Sequence, residues 1–194
     1  MKGTKMVQDI KKHEVEKCIY VFDDAIKNSK EIFDLSLSKN EWLDAAIVSV
    51  GDVQYDLYHG SRSANILEVM PTVKIEPQWF FLLKDMWDVV KKVSEEWFVE
   101  INQVEALHVL RYKKDEGFYK EHADIGSGLP RVFTGIVFLN EIEEGGEIIF
   151  PKHNLSISPK PGRMVVFPSN FLYRYEVTTP SSDDLITVSS WFLE

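Results

Sequence analysis

Tyr119-Lys120-Glu121-His122-Ala123-Asp124 reads as one short strand within a long alternating run. On a strand, residues two apart face the same side, so His122 and Asp124 present an imidazole and a carboxylate together. A half-buried pair of this kind is costly unless something binds it, and a single metal ion can bind both.

The alternation around that strand sets the fold. From Gln103 onward the apolar period is two, with strands expected near 104–112, 117–124, 131–139, 146–150, 155–158, 163–168, 171–177 and 185–193. Gly126-Ser127-Gly128, Glu143-Glu144-Gly145-Gly146, Pro159-Lys160-Pro161-Gly162 and Thr179-Pro180-Ser181-Ser182 supply turns. Short strands following helices describe an α+β fold: a double-stranded β-helix (jelly roll, cupin-like) with N-terminal helices packed on one sheet.

Upstream, Pro77 to about Glu100 is expected to be a long helix. Its apolar positions 79, 80, 83, 86, 87, 90, 93 and 97 mark one buried face, so Trp79, Phe80, Trp87 and Trp97 are read as core. Cys18 to Phe22 reads as a strand. Asp23-Asp24 then caps a helix running to about Leu35, a second short helix starts near Lys39, and a strand lies around Ala46 to Val50. Residues 1–17 are expected to be a flexible or weakly helical lead-in. The rest is one jelly-roll domain, with 18–102 as helical support and 103–194 as its core.

Composition narrows the function classes. With 22 basic and 31 acidic residues the net charge is −9, which disfavours nucleic acid and anionic membranes as partners. The one cysteine, Cys18, forms no internal disulfide and no thiolate metal cluster. No secretory leader or membrane-length apolar run is evident, so a soluble, cytoplasmic protein with a small-molecule or peptide partner is expected.

Several blocks in order resemble a family. Leu110-Arg111-Tyr112, Phe118 to Asp124, Phe138-Leu139-Asn140, Glu144-Gly145-Gly146-Glu147, Phe150-Pro151, Pro161 to Tyr173 and Ser190-Trp191-Phe192 are similar to the prolyl 4-hydroxylase-like branch of iron(II)/2-oxoglutarate dioxygenases. The likeness covers about 103–193 and is greatest to small bacterial and phage forms. It implies a His-x-Asp pair and a distal histidine on Fe(II), with 2-oxoglutarate as cosubstrate held by a cation on the last strand. The products implied are succinate, carbon dioxide and a hydroxylated peptidyl or free amino acid.

Carried over, His122 and Asp124 take the first two metal positions. The distal histidine position falls on Tyr175, which is either a third ligand, favouring Fe(III), or a hydrogen-bonding wall over a two-ligand or vacant site. The clamp position falls on Leu185. Losing one partner of a buried charge pair costs about 2–5 kcal/mol, so 2-oxoglutarate binding is expected to weaken by roughly 30-fold to several thousand-fold. Arg131, Arg174 and Lys120, the last read as sharing the face of His122, are candidate replacement cations. Tyr112 and Asn140 are read as polar contacts to the cosubstrate. His108 lines the cavity or supplies a ligand, His153 lies exposed in a turn, and His59 sits in a loop. Two functions therefore stand: an oxygenase with an altered site, or a catalytically degenerate jelly roll that keeps its cavity for binding.

Overall fold

The computed structural model describes residues 11–45, 47–50, 53–56, 60–71, 74–125 and 130–194. His59 and the 126–128 turn lie outside the described residues. In the N-terminal half, strands β1 (Lys11–Glu16) and β2 (Ile19–Asp23) precede helix α1 (Ser29–Leu37). Then come β3 (Leu43–Asp44), β4 (Ile47–Val50), β5 (Val53–Asp56), β6 (Arg62–Ser63), β7 (Asn65–Val69) and helix α2 (Pro77–Glu96). The second half carries β8 (Gln103–Val104), β9 (Leu107–Tyr112), β10 (Phe118–His122), β11 (Arg131–Phe138) and β12 (Ile148–Phe150). It ends with β13 (Leu155–Ile157), β14 (Met164–Pro168), β15 (Tyr175–Val177) and β16 (Leu185–Leu193).

Among the described residues these strands form two sheets face to face, with a separate β4–β5 hairpin. The larger, nine-stranded sheet runs β1-β2-β14-β11-β16-β9-β7-β3, with β8 also paired to β16; the smaller runs β13-β12-β15-β10-β6. This is the expected jelly roll. Alternation along each large-sheet strand sends one set of side chains to α2 and the other toward the small sheet. Leu107, Val109, Val137, Ile186 and Val188 pack with α2, while Leu110, Tyr112, Ile136, Phe138 and Leu185 pack between the sheets. Helix and sheet approach closely at Gly135, where an added Cβ would lie 2.7 Å from Met164 Cε and 3.5 Å from Met86 Cε.

Five expectations change. Residues 11–16 are an edge strand paired with β2, not a weakly helical lead-in; its charged side chains suit an unpaired edge, which is why they read as solvated tail. Asp23 and Asp24 do not cap α1, which begins after Asn28, because the Asp23 carboxylate is taken by Arg163 at 2.7 Å. The expected helix near Lys39 is replaced by β3, paired to β7. Finally, the buried stripe of α2 is Trp79, Leu82, Met86, Val89, Val90 and Val93. Phe80 is 54% exposed and Trp97 41% exposed, since the stripe follows Trp79 rather than Phe80. The 18–102 segment is also less helical than expected, contributing β7 to the large sheet and β6 to the small one.

Candidate functional site

The site forms where β10 meets β15 and the inner face of β11. Tyr119 pairs with Val177 and His122 with Tyr175, three residues apart on β10 against two on β15, so β10 bulges between them. The bulge turns both Tyr119 and His122 inward, their rings stacked at 3.5 Å between centroids and 16° between planes. Lys120 is exposed instead of sharing the face of His122, which removes it from the candidate cations.

His122 Nδ1 lies 2.8 Å from Lys120 O. A carbonyl only accepts, so Nδ1 carries a proton and donates to it, which leaves Nε2 as the ring atom facing the site. Nε2 is buried without a hydrogen-bond partner and stands 3.4 Å from Asp124 Oδ1. Asp124, just beyond β10, is buried. Thr134 Oγ1, on β11, donates to its Oδ2 at 2.8 Å, and Ser169 Oγ lies 2.9 Å from Thr134 Oγ1. Burial works to raise the Asp124 carboxyl, but the approach of His122 and the Thr134 bond outweigh it and hold the group below the ordinary carboxylate value.

Tyr175, across the strand pair from His122, is 3% exposed. Its ring packs 5.0 Å from Phe167 and 4.4 Å from His122. Its hydroxyl reaches Asp124 Oδ2 at 3.2 Å and Oδ1 at 3.4 Å. Burial, joined by the Asp124 charge, pushes its phenol well above the ordinary value. Tyr175 is therefore a neutral phenol that donates to Asp124.

His122 and Asp124 suit a cation. Two ligand atoms each about 2.1 Å from one tetrahedral ion stand about 3.4 Å apart, the separation of His122 Nε2 and Asp124 Oδ1. The rest does not fit Fe(II) with 2-oxoglutarate. Tyr175, where the distal histidine was expected, is a protonated phenol, and no cluster of three His, Cys, Asp or Glu able to hold a metal occurs among the described residues. At the clamp position Leu185 is 0% exposed. It pairs with Tyr112 and packs in the intersheet cluster with Ile136, Phe138 and Ile148.

The other candidates are dispersed. Tyr112 is buried beside the site, its phenol raised by burial. Asn140 is absorbed by structure: its amide donates to Asp184 O and accepts from Ile186 N. Arg131 joins the site from the opposite side. It donates to both Glu105 carboxylate oxygens at 2.6 Å and to Asp124 O at 3.0 Å, and stacks 3.9 Å over Trp191. Arg174 turns away to Glu121, as strand alternation expects. His108 has its ring edge-on to Trp191 at 4.7 Å and Nε2 3.1 Å from Glu68. His153 is half-buried, stacked on Tyr173 at 5.2 Å, instead of exposed.

Sequence reading missed Tyr119, Thr134 and Arg62. The lone hydroxyl of Thr134 in the apolar run Val132-Phe133-Thr134-Gly135-Ile136 was a usable signal. Arg62, which pairs with Tyr119 and lies 5.0 Å from its ring centroid, had none.

Comparison with known proteins bears on this arrangement. Residues 107–193 match the model of the 2OG-Fe(II) oxygenase superfamily. The sequence is similar to probable plant prolyl 4-hydroxylases. Probable prolyl 4-hydroxylase 11 of Arabidopsis thaliana is 30% identical over 87 residues, covering 41% of this chain and 30% of that protein. The chain thus spans less than a third of that relative's length. In fold, it superposes on a Pseudomonas putida prolyl-4-hydroxylase with TM-score 0.73 at 16% identity, covering 91% and 92% of the two chains. A Trichoplax adhaerens prolyl hydroxylase in complex with a hypoxia inducible factor oxygen degradation domain peptide fragment gives 0.72 at 17% identity, covering 91% and 83%. No helix among the described residues is long and apolar enough to cross a membrane.

Proposed function

We propose that the chain is a prolyl hydroxylase-type jelly roll that does not couple 2-oxoglutarate decarboxylation to hydroxylation and keeps its intersheet cavity for binding. The observation that carries this is Leu185, fully enclosed against Tyr112 in an apolar cluster. A dicarboxylate reaching that pole would place a carboxylate against aliphatic side chains, which is costly without a cation. Arg131, Glu105, Trp191 and His108 lie together beside Asp124 and supply charged and aromatic groups for recognition. A peptide or amino-acid ligand fits those groups, and the Trichoplax prolyl hydroxylase of similar fold is itself in complex with a peptide fragment. A cytoplasmic setting, with neither nucleic acid nor membrane as partner, belongs to the same proposal and rests on the −9 charge and single cysteine.

A second reading, an oxygenase with a relocated clamp, is favoured by Arg62, whose charge lowers the Tyr112 phenol against the larger effect of burial. The test is anaerobic loading with Fe(II), addition of 2-oxoglutarate and air, and measurement of succinate. The native chain is expected to form none above the protein-free control. Succinate from the native chain overturns the proposal in favour of the oxygenase. The double variant Tyr175→His, Leu185→Arg is the companion arm, in which succinate indicates that these two positions carry the loss.

A further inference from the structure

Resting on the reading that this is not a working hydroxylase, the geometry points to the Tyr175 hydroxyl as a built-in substitute for a metal ion. Three strands converge on the Asp124 carboxylate: β10 carries the chain into it, β11 supplies Thr134, and β15 supplies Tyr175. A cation at such a carboxylate satisfies its lone pairs and ties the surrounding strands. Here two O–H donors from separate strands do that work. The Tyr175 hydroxyl lies 3.2 Å from Oδ2, which Thr134 also reaches, and 3.4 Å from Oδ1, which faces His122 Nε2.

The phenol is held in place. Phe167 stands edge-on to its ring at 5.0 Å and Phe150 lies at 5.9 Å, while His122 covers another side at 4.4 Å. Swinging it out to admit an ion means breaking that packing. Its proton also points at the carboxylate that the ion would need. A hydrogen bond to a buried charged group contributes more than one between neutral groups, so the metal-free chain has its carboxylate satisfied from within. His122 Nε2 remains open, which leaves a two-atom site of weak affinity in place of a structural metal centre.

The test uses the full chain in three forms, native, Tyr175→Phe and Tyr175→His, with thermal unfolding followed with and without EDTA. Mn(II) binding is measured by the electron paramagnetic resonance signal of the free ion. EDTA is expected to leave the native Tm unchanged. Tyr175→Phe, which keeps the ring and loses the donor, is expected to lower Tm by about 3–12 °C. Tyr175→His is expected to bind Mn(II) about 100-fold more tightly than the native chain, at the upper end of the range for losing a supporting group. A native Tm that falls on chelation, a Phe variant as stable as native, or native Mn(II) affinity equal to that of the His variant each overturns the inference. Should the His variant not fold, the native and Phe arms still decide. None of these readouts involves turnover, so succinate from the native chain would remove the functional proposal without producing any of these failures.

Discussion

Leu185 and Tyr112 are direct partners across the β16–β9 strand pair, and both are sealed from solvent. Leu185 Cδ2 also lies 2.9 Å from where a Cβ on Gly146 would stand, at a φ of +72° that favours glycine. The position is therefore built for an aliphatic side chain. Leu185→Arg is expected to destabilise the chain by about 3–5 kcal/mol, the range for an uncompensated buried charge. Added 2-oxoglutarate is expected to raise the Tm of this variant and not of the native chain. Equal shifts in both, read by thermal unfolding, would show that the native cavity already anchors the dicarboxylate.

Arg131 ties three parts of the site together through Glu105, Asp124 O and the face of Trp191. Its planar fork matches the carboxylate in a way an ammonium does not. Arg131→Lys is accordingly expected to recover less than half of the stability that Arg131→Ala loses, about 1–3 kcal/mol. Urea unfolding midpoints for the pair of variants check this, and full recovery by lysine would mean that charge alone matters.

These relationships mark the boundary of what the sequence could disclose. The jelly roll was legible because alternation and turn residues are local, and the ordered motif blocks singled out His122, Asp124 and Tyr175, which the fold brings together. The β10 bulge was not legible. One extra residue between Tyr119 and His122 reverses which side chains face inward, and nothing in Lys120-Glu121 announces it. Asn140 and Asp23 failed for a related reason: their partners, Asp184 with Ile186 and Arg163, are far along the chain. A polar residue's use depends on which distant group reaches it first. The edge strand β1 was hidden because an edge strand and a solvated tail have the same composition.

Asp23 gives the chain an acid-sensitive fastening between β2 and the turn before β14. The Arg163 guanidinium donates to it at 2.7 and 3.3 Å, and that bond first, against a smaller effect of burial, holds the carboxyl below its ordinary 3.8. A depressed folded value means that the stabilisation is present above the unfolded pKa and is lost as pH falls through the folded one. Arg163→Gln is expected to lower stability at neutral pH and to narrow its gap to the native chain below about pH 4. Chemical denaturation across pH measures this, and a gap that is constant down to the acid limit would sink the assignment.

Thr134 is a second hydroxyl donor to Asp124, fully buried in a strand otherwise made of apolar residues and glycine over Phe133 to Phe138. Thr134→Val keeps the shape and removes the hydroxyl. It leaves Asp124 with one fewer donor and Ser169 Oγ without the oxygen 2.9 Å away. The expected cost is about 1–3 kcal/mol, typical of leaving a buried polar group unsatisfied. Thr134→Ser retains the hydroxyl and loses one methyl, so its expected cost is about 1 kcal/mol. If the two variants prove equally destabilised in urea, the methyl and not the hydroxyl is what β11 supplies, and the Asp124 carboxylate is satisfied by groups other than Thr134.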